Sequence, residues 1–204
     1  VPMKDSGIEW VGEIPEHWEV LKLKYVVTLK SGKNITSDLI TDDGEYPVYG
    51  GNGLRGYTSN FTHSGDYVLI GRQGALCGNI SYAKGRFWAS EHAVVVESLH
   101  HMEIFWIGEL LRSMNLNQYS ISAAQPGLAV ERIKNLYIPV PPYDEQKLIT
   151  DTIKPNVSRI NNIIVLIKEQ ISKLKEYRQS LITAAVTGKI DVRNYNIESD
   201  QVEG

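Results

Sequence analysis

The sequence predicts an α+β protein: a mixed, largely β globule followed by a long coiled-coil helical arm. Three observations carry this. Between Tyr46 and Glu97, short β-prone segments are cut repeatedly by glycine, as strands joined by tight turns are. From Ile153 onward, apolar residues recur in alternating steps of four and three, the spacing of a helix that packs along another helix. Between these regions, Pro139, Pro141 and Pro142 punctuate the chain, and proline neither continues a central strand nor sits inside an unkinked helix. The expected organisation is a globular domain over 1–142, a helical arm over 143–188 and a polar tail over 189–204.

The first twenty residues hold Trp10, Ile14, Pro15, Trp18 and Val20, too much apolar surface for a disordered lead. Val20 to Leu29 reads as one strand. Residues 31–45 are rich in Gly, Asn, Thr, Ser and Asp and read as a loop. Tyr46–Tyr49, Tyr67–Ile70, Asn79–Tyr82 and Ala93–Glu97 read as strands. Ile104, Ile107, Leu110, Leu111 and Met114 stand at helical spacing and predict a helix over Glu103–Met114. Ser120 to Gly127 is a polar loop, and Leu136 to Val140 a last strand.

In the arm, Ile153, Val157, Ile160, Ile164, Ile167, Ile171 and Leu174 form a heptad seam, which Leu181 and Ala185 resume after Arg178 breaks it. Pro155 suits a first helical turn, so the spacing predicts a short helix over 144–152 and a long one over 155–187. Gly188 stands where a helix-ending glycine belongs. The long helix would span about 48 Å at 1.5 Å per residue, against a radius of gyration of roughly 15 Å for a domain of this size. A seam of this kind asks for a partner helix, because each buried side chain of that size is worth roughly 1.5–3 kcal/mol.

The 204 residues carry a net charge of −3, which does not announce a nucleic-acid binder. Locally the balance differs: residues 46–90 hold Arg55, Arg72, Lys84 and Arg86 against one acid, Asp66. A local basic face can hold phosphates on a mildly acidic protein. The single cysteine, Cys77, excludes an internal disulfide framework and a cysteine-based zinc site. With no bilayer-length apolar run and no signal-peptide pattern, the expected compartment is the cytoplasm.

Several motifs invite enzymatic readings that their context refuses. Gly51-Asn52-Gly53-Leu54-Arg55-Gly56 matches the dinucleotide fingerprint, but that chemistry needs a helix directly after it. Tyr57-Thr58-Ser59-Asn60-Phe61 is a poor helix start. A turn presenting Asn52, Arg55 and Tyr57 to a partner, or a plain hairpin loop, fits better. Val140-Pro141-Pro142-Tyr143 lies one residue from the Asn/Asp-Pro-Pro-Tyr motif of adenine-N6 methyltransferases, and valine can make no hydrogen bond to the base amino group. The prolines read instead as a hinge before the arm. Glu145-Gln146-Lys147 has a nuclease-like spacing but opens a helix, where an acid is favoured by the dipole. The histidines show no zinc-ligand spacing. Glu91-His92 beside Ser90 reads as strand-edge polarity. No catalytic residue, metal site or cofactor is expected.

Several stretches together resemble one family. Lys4-Asp5-Ser6-Gly7-Ile8-Glu9-Trp10 and Gly12-Glu13-Ile14-Pro15-Glu16-His17-Trp18 resemble the opening of type I restriction–modification specificity subunits. Ile70-Gly71-Arg72-Gln73-Gly74 with Phe87-Trp88-Ala89 resembles their target-recognition domains. Gln125-Pro126-Gly127, Ile138-Pro139-Val140-Pro141-Pro142 and Glu145-Gln146 resemble the junction to the conserved helix. Tyr177-Arg178-Gln179-Ser180-Leu181 and Ala185-Val186-Thr187-Gly188-Lys189 resemble that helix's end. The resemblance implies a non-catalytic subunit that reads half of a split double-stranded DNA site and docks methyltransferase subunits, with a restriction subunit as a further partner. Such subunits commonly carry two recognition domains and two helices, and here there is one of each, so this is a natural half-subunit or a fragment. An enzyme acting by itself, and a coiled-coil adaptor without DNA contact, are the other readings.

On this reading the expected DNA contacts are Lys33, Asn34, Thr36, Asn52, Arg55, Tyr57, Arg72, Gln73, Lys84, Arg86, Ser122 and Gln125, all in polar, glycine-flanked loops. Arg72 fits a scaffold role equally well. The expected antiparallel homodimer seam is Ile153, Val157, Ile160, Ile164, Ile167, Ile171, Leu174 and Leu181. Ile163, Val165 and Leu166 flank it as the expected methyltransferase-docking face.

Overall fold

The computed structural model describes residues 1–74, 76–120 and 127–190. The chain opens with β1 (Met3–Asp5) and β2 (Glu13–Pro15), an antiparallel pair. Then come β3 (Glu19–Lys22), a 3₁₀ turn (Leu23–Tyr25), β4 (Val27–Ser31) and a second 3₁₀ turn (Ser37–Leu39). Strands β5 (Tyr46–Gly50), β6 (Gly53–Thr58), β7 (His63–Ser64), β8 (Tyr67–Gly71), β9 (Ile80–Ala83), β10 (Arg86–Ala89) and β11 (Ala93–Ser98) follow. Helix α1 (Ile104–Ser113), short helix α2 (Val130–Ile133), β12 (Tyr137–Val140) and α3 (Tyr143–Val186) complete the described elements. The expected α+β class, mostly strands and then a long helix, is what the chain forms.

Two four-stranded sheets make the globule, in orders β4-β11-β8-β9 and β6-β5-β10-β7. Successive side chains of a strand point to opposite faces, and here both faces of the first sheet are buried. Val68 and Ile70 of β8, with Val94 and Val96 of β11, join a cluster with Trp106, Ile107 and Leu111 of α1. Leu69 and Val95, one position out of phase, join Phe87 and Ala89 of β10 on the other side. This is why Ala93-Val94-Val95-Val96 is continuously apolar rather than alternating. Helix α1 thus covers one face and the second sheet the other.

The expected strand over Val20–Leu29 is in fact two. β3 pairs with β12, while β4 pairs with β11. The intervening turn places Leu23, fully buried, in the core and hydrogen-bonds to Leu136 and Lys134 carbonyls. The alternating pattern hid this switch because both strands bury side chains in the same cluster. β6 and β10 were not legible as strands: β6 carries two glycines and β10 has four residues.

The chain divides into two compact units, Val1–Ile153 and one beginning at Lys154. The boundary falls later than Pro142 because the first turns of α3 bury Gln146 and Thr150. The prolines before it are a locked junction rather than a hinge. Gln146 Nε2 donates to the Pro141 carbonyl at 2.9 Å, and its Oε1 accepts from the Glu103 backbone N–H at 3.1 Å. The two expected helices are one helix of 44 residues with Pro155 inside it. Proline removes one hydrogen bond, and the carbonyl it frees belongs to Asp151, an exposed residue. At the far end, Gly188 has φ +71°. The Lys189 N–H reaches the Ala184 carbonyl at 2.9 Å and the Gly188 N–H the Ala185 carbonyl at 3.2 Å, the paired bonds of a Schellman cap.

Candidate nucleic-acid interface

Five separate segments meet at one end of the two sheets. β4 runs out at Ser31, and Gly32 then crosses so closely that a Cβ there would lie 2.2 Å from the Ala89 carbonyl oxygen. Only glycine allows this approach. Beyond it, the Gly32 N–H binds the Ala93 carbonyl and the Lys33 N–H the Ala89 carbonyl, both at 2.9 Å. The Trp88 indole donates to the Lys33 carbonyl at 3.1 Å. Between β10 and β11, the Ser90 N–H binds the Tyr49 carbonyl at 2.8 Å, and the His92 carbonyl accepts from the Arg72 N–H at 2.9 Å. The Arg72 carbonyl accepts from the Leu128 N–H at 2.8 Å, and Gln73 forms a bridge with Gly127. Gly51 closes the group: a Cβ on Gly71 would lie 2.3 Å from the Gly51 carbonyl oxygen.

The side chains follow from this backbone. Arg72 is exposed, and its Nη1 donates to the Ser31 hydroxyl at 2.9 Å. One guanidinium nitrogen is thus engaged with the scaffold, while the side chain remains exposed. The His92 ring lies between two acceptors: Nδ1 is 3.0 Å from Gln73 Oε1 and Nε2 is 3.0 Å from Glu91 Oε1. Cys77 lies under this loop, its thiol 3.4 Å from the Arg72 carbonyl, and burial pushes that thiol above its ordinary pKa.

Lys33, Asn34, Asn52, Arg72 and Gln73 stand in or beside this group and are exposed. Arg55 is close by. It is the extra residue of a bulge in the β5–β6 hairpin, since Tyr49 pairs with Leu54 and Val48 with Gly56. Its stem lies against Gly50, where a Cβ would meet Arg55 Cδ at 2.4 Å. No helix follows the glycine-rich turn, so the dinucleotide reading fails and the hairpin holds. Tyr57 is half-buried, its backbone paired in both directions with Thr41 at 2.9 and 2.8 Å. Thr36 hydrogen-bonds the Asp38 carboxylate through its side chain, which with Asp38's own backbone bond holds that acid below its ordinary pKa.

Lys84 and Arg86 lie elsewhere. β8 and β9 pair with Ile70 opposite Ile80 and Tyr67 opposite Ala83, so Lys84 follows the end of β9 remote from Arg72. Arg86 pairs with Ser64 at the start of β10 and sits over the Phe61 ring at 5.0 Å. Ser122 and Gln125 lie outside the described residues. Glu91 and His92 read in sequence as strand-edge polarity; what links them to the site is the contact of His92 with Gln73, nineteen positions away, and of Glu91 with His92.

The Val140-Pro141-Pro142-Tyr143 segment packs into the globule. Pro141 is buried, and the Tyr143 hydroxyl donates to Glu103 Oε1 at 2.9 Å. Among the described residues no group of His, Cys, Asp and Glu is placed to hold a metal ion, and no helix is long and apolar enough to cross a membrane.

On α3, Ile160, Ile164, Ile167, Ile171, Leu174 and Leu181 of the seam are exposed in the single chain, as are the flanking Ile163, Val165 and Leu166. Ile153 and Val157 are half-buried.

The comparisons with known proteins identify the family. The type I restriction modification DNA specificity domain matches residues 15–175, and the chain belongs to this family. It is 40% identical over 148 residues to the EcoprrI specificity subunit of Escherichia coli, covering 68% of this chain and 37% of that one. It is 25% identical over 217 residues to the MjaVIII specificity subunit of Methanocaldococcus jannaschii, covering 91% and 49%. The crystal structure of the type I restriction-modification S subunit from M. genitalium superimposes with a TM-score of 0.64 at 20% identity, over 83% of this chain and 47% of that one. The HsdS subunit from Thermoanaerobacter tengcongensis gives 0.59 at 18% identity. The chain thus spans about half, or less, of the length of these relatives.

Proposed function

We propose that this chain reads one half of a bipartite double-stranded DNA site for a type I restriction–modification complex and itself catalyses nothing. The observation that carries this is the convergence of Lys33, Asn52, Arg72, Gln73 and His92 from four segments onto one sheet end. Exposed Asn, Gln and Arg are the side chains that pair with base edges, while Lys and Arg also neutralise phosphates. The globule would be the target-recognition domain and α3 the arm. The seam Ile153, Val157, Ile160, Ile164, Ile167, Ile171, Leu174 and Leu181 would pair two copies antiparallel, and Ile163, Val165 and Leu166 would meet a methyltransferase subunit. A twofold axis makes each identical domain read the same half-site on opposite strands, so the full site is a palindrome split by a spacer. A restriction subunit would join the same complex in the cytoplasm.

The test is to map methylated adenines in DNA treated with this chain plus its methyltransferase partner. A split palindromic site that relaxes at one position of each half when Gln73 is replaced by Ala supports the reading. Methyl transfer by the purified chain without a partner, or no retention on DNA resin at low salt, would overturn it.

A further inference from the structure

Beside the reading loops lies a cavity of about 510 Å³, lined by Leu29, Ser31, Arg72, Leu128, Arg132 and Lys134 among others. Its cations outnumber its acids. Lys134 is paired with Glu131 at 2.8 Å, which cancels one charge and leaves the guanidiniums of Arg72 and Arg132. Arg132 is exposed on α2, with no side-chain partner among the described residues. Arg72 is oriented toward the cavity's own wall by its bond to Ser31. The remaining walls are apolar and well packed: Leu29, Leu128 and Ala129 are at most 7% exposed. Cations on a concave surface with low-dielectric walls focus a positive potential into it.

We infer that this cavity seats a DNA backbone phosphate, with Arg132 and Arg72 as its two cationic arms. The inference rests on the proposed reading of DNA by the adjoining loops and extends it by naming where the backbone is held. Position argues for it. The Leu128 N–H is bound to the Arg72 carbonyl, and Gly127 bridges to Gln73, so the cavity and the reading side chains stand on two segments paired with each other. A phosphate held by Arg132 fixes the register in which Gln73 and His92 meet base edges, without itself carrying sequence information. Arg132 lies far along the chain from the basic segment at 46–90, which is why charge counting along the sequence does not reveal it.

The experiment measures the affinity of the full chain for two duplexes, one carrying the mapped half-site and one unrelated, across a range of salt concentrations. For Arg132→Gln the expected result is a several-fold loss on both duplexes alike, and a slope of log affinity against log salt shallower by about 0.9, the value of one phosphate contact. Arg132→Lys restores the slope, since a point charge serves a phosphate. Lys84→Gln, at the remote end of the sheet, leaves it unchanged. If wild type binds and Arg132→Gln binds with the same slope, the cavity holds no phosphate, while the reading of DNA stands. If Arg132→Gln weakens capture of the methyltransferase subunit and not of DNA, the cavity is a protein-docking site and the inference is wrong. Wild type binding neither duplex overturns both.

Discussion

The Trp18 indole Nε1 donates a 2.8 Å hydrogen bond to Glu145 Oε2, joining residues 127 positions apart. His17 Nε2 meets the other oxygen of the same carboxylate at 2.5 Å. The N-terminal segment is thereby tied to the first turn of the long helix. Glu145 also stands where an acid favours the helix dipole. The Trp18 bond first, and then His17, hold its carboxyl below the ordinary carboxylate pKa.

This contact makes stability depend on pH. A folded-state pKa below the unfolded one means that folding favours the ionised form. The contribution is complete above the ordinary value of 4.5 and is lost as pH falls through the lower, folded value. Glu145→Gln should therefore melt below wild type at pH 7, with the gap closing under acid conditions. A melting difference that stays constant from pH 7 down to pH 3 would show that the carboxylate is not the cause.

Gly71 and Gly51 test how the site is assembled. A Cβ on Gly71 would lie 2.3 Å from the Gly51 carbonyl oxygen and 2.7 Å from that of Leu76. Both are backbone atoms and cannot swing aside. Gly71→Ala should cost about 1–3 kcal/mol, as overpacking does, and should weaken DNA binding by displacing the hairpin turn. Denaturant unfolding and anisotropy measure the two effects. Unchanged stability would mean that the contact relaxes freely.

Gln73 and Arg72 separate reading from holding. Gln73→Ala should lose discrimination at one base pair, worth about 1–3 kcal/mol for a bidentate contact, while binding to unrelated DNA stays the same. Arg72→Ala should weaken both. Competition between the mapped half-site and single-base variants decides it. A Gln73→Ala protein with unaltered preference would remove that residue from the base-reading set.

The seam of α3 predicts association. Ile164→Asp combined with Ile171→Asp, both on exposed seam positions, should convert a dimer into a monomer by light scattering. Wild type that is already monomeric at tens of micromolar would show that the arm pairs with a different chain.

Pro155 leaves one hydrogen bond unmade in an otherwise continuous helix. Pro155→Ala should stabilise that helix by as much as about 3 kcal/mol, the interior penalty of proline. The readout is a higher melting temperature of the helical signal in circular dichroism. A fall instead would mean that the proline relieves a constraint there.

The sequence by itself determined the elements whose evidence is local. The seam from Ile153 to Leu174 repeats at helical spacing whatever it packs against. Gly188 ends its helix because a left-handed position favours glycine. Tyr67–Ile70 and Ala93–Glu97 are apolar enough to be strands in any context, and the family could be recognised from ordered short motifs. What only the tertiary structure decided depends on distant pairings. Val20–Leu29 divides between two sheets because β12 and β11 bind its two halves. The helix crosses Pro155 because intact turns on both sides outweigh one missing bond. Lys84 leaves the candidate site because strand register, not chain proximity, sets which loops share an end. Glu91, His92 and Arg132 enter its neighbourhood for the same reason: the bonds through Arg72 and Leu128 that bring them there join residues no local pattern connects.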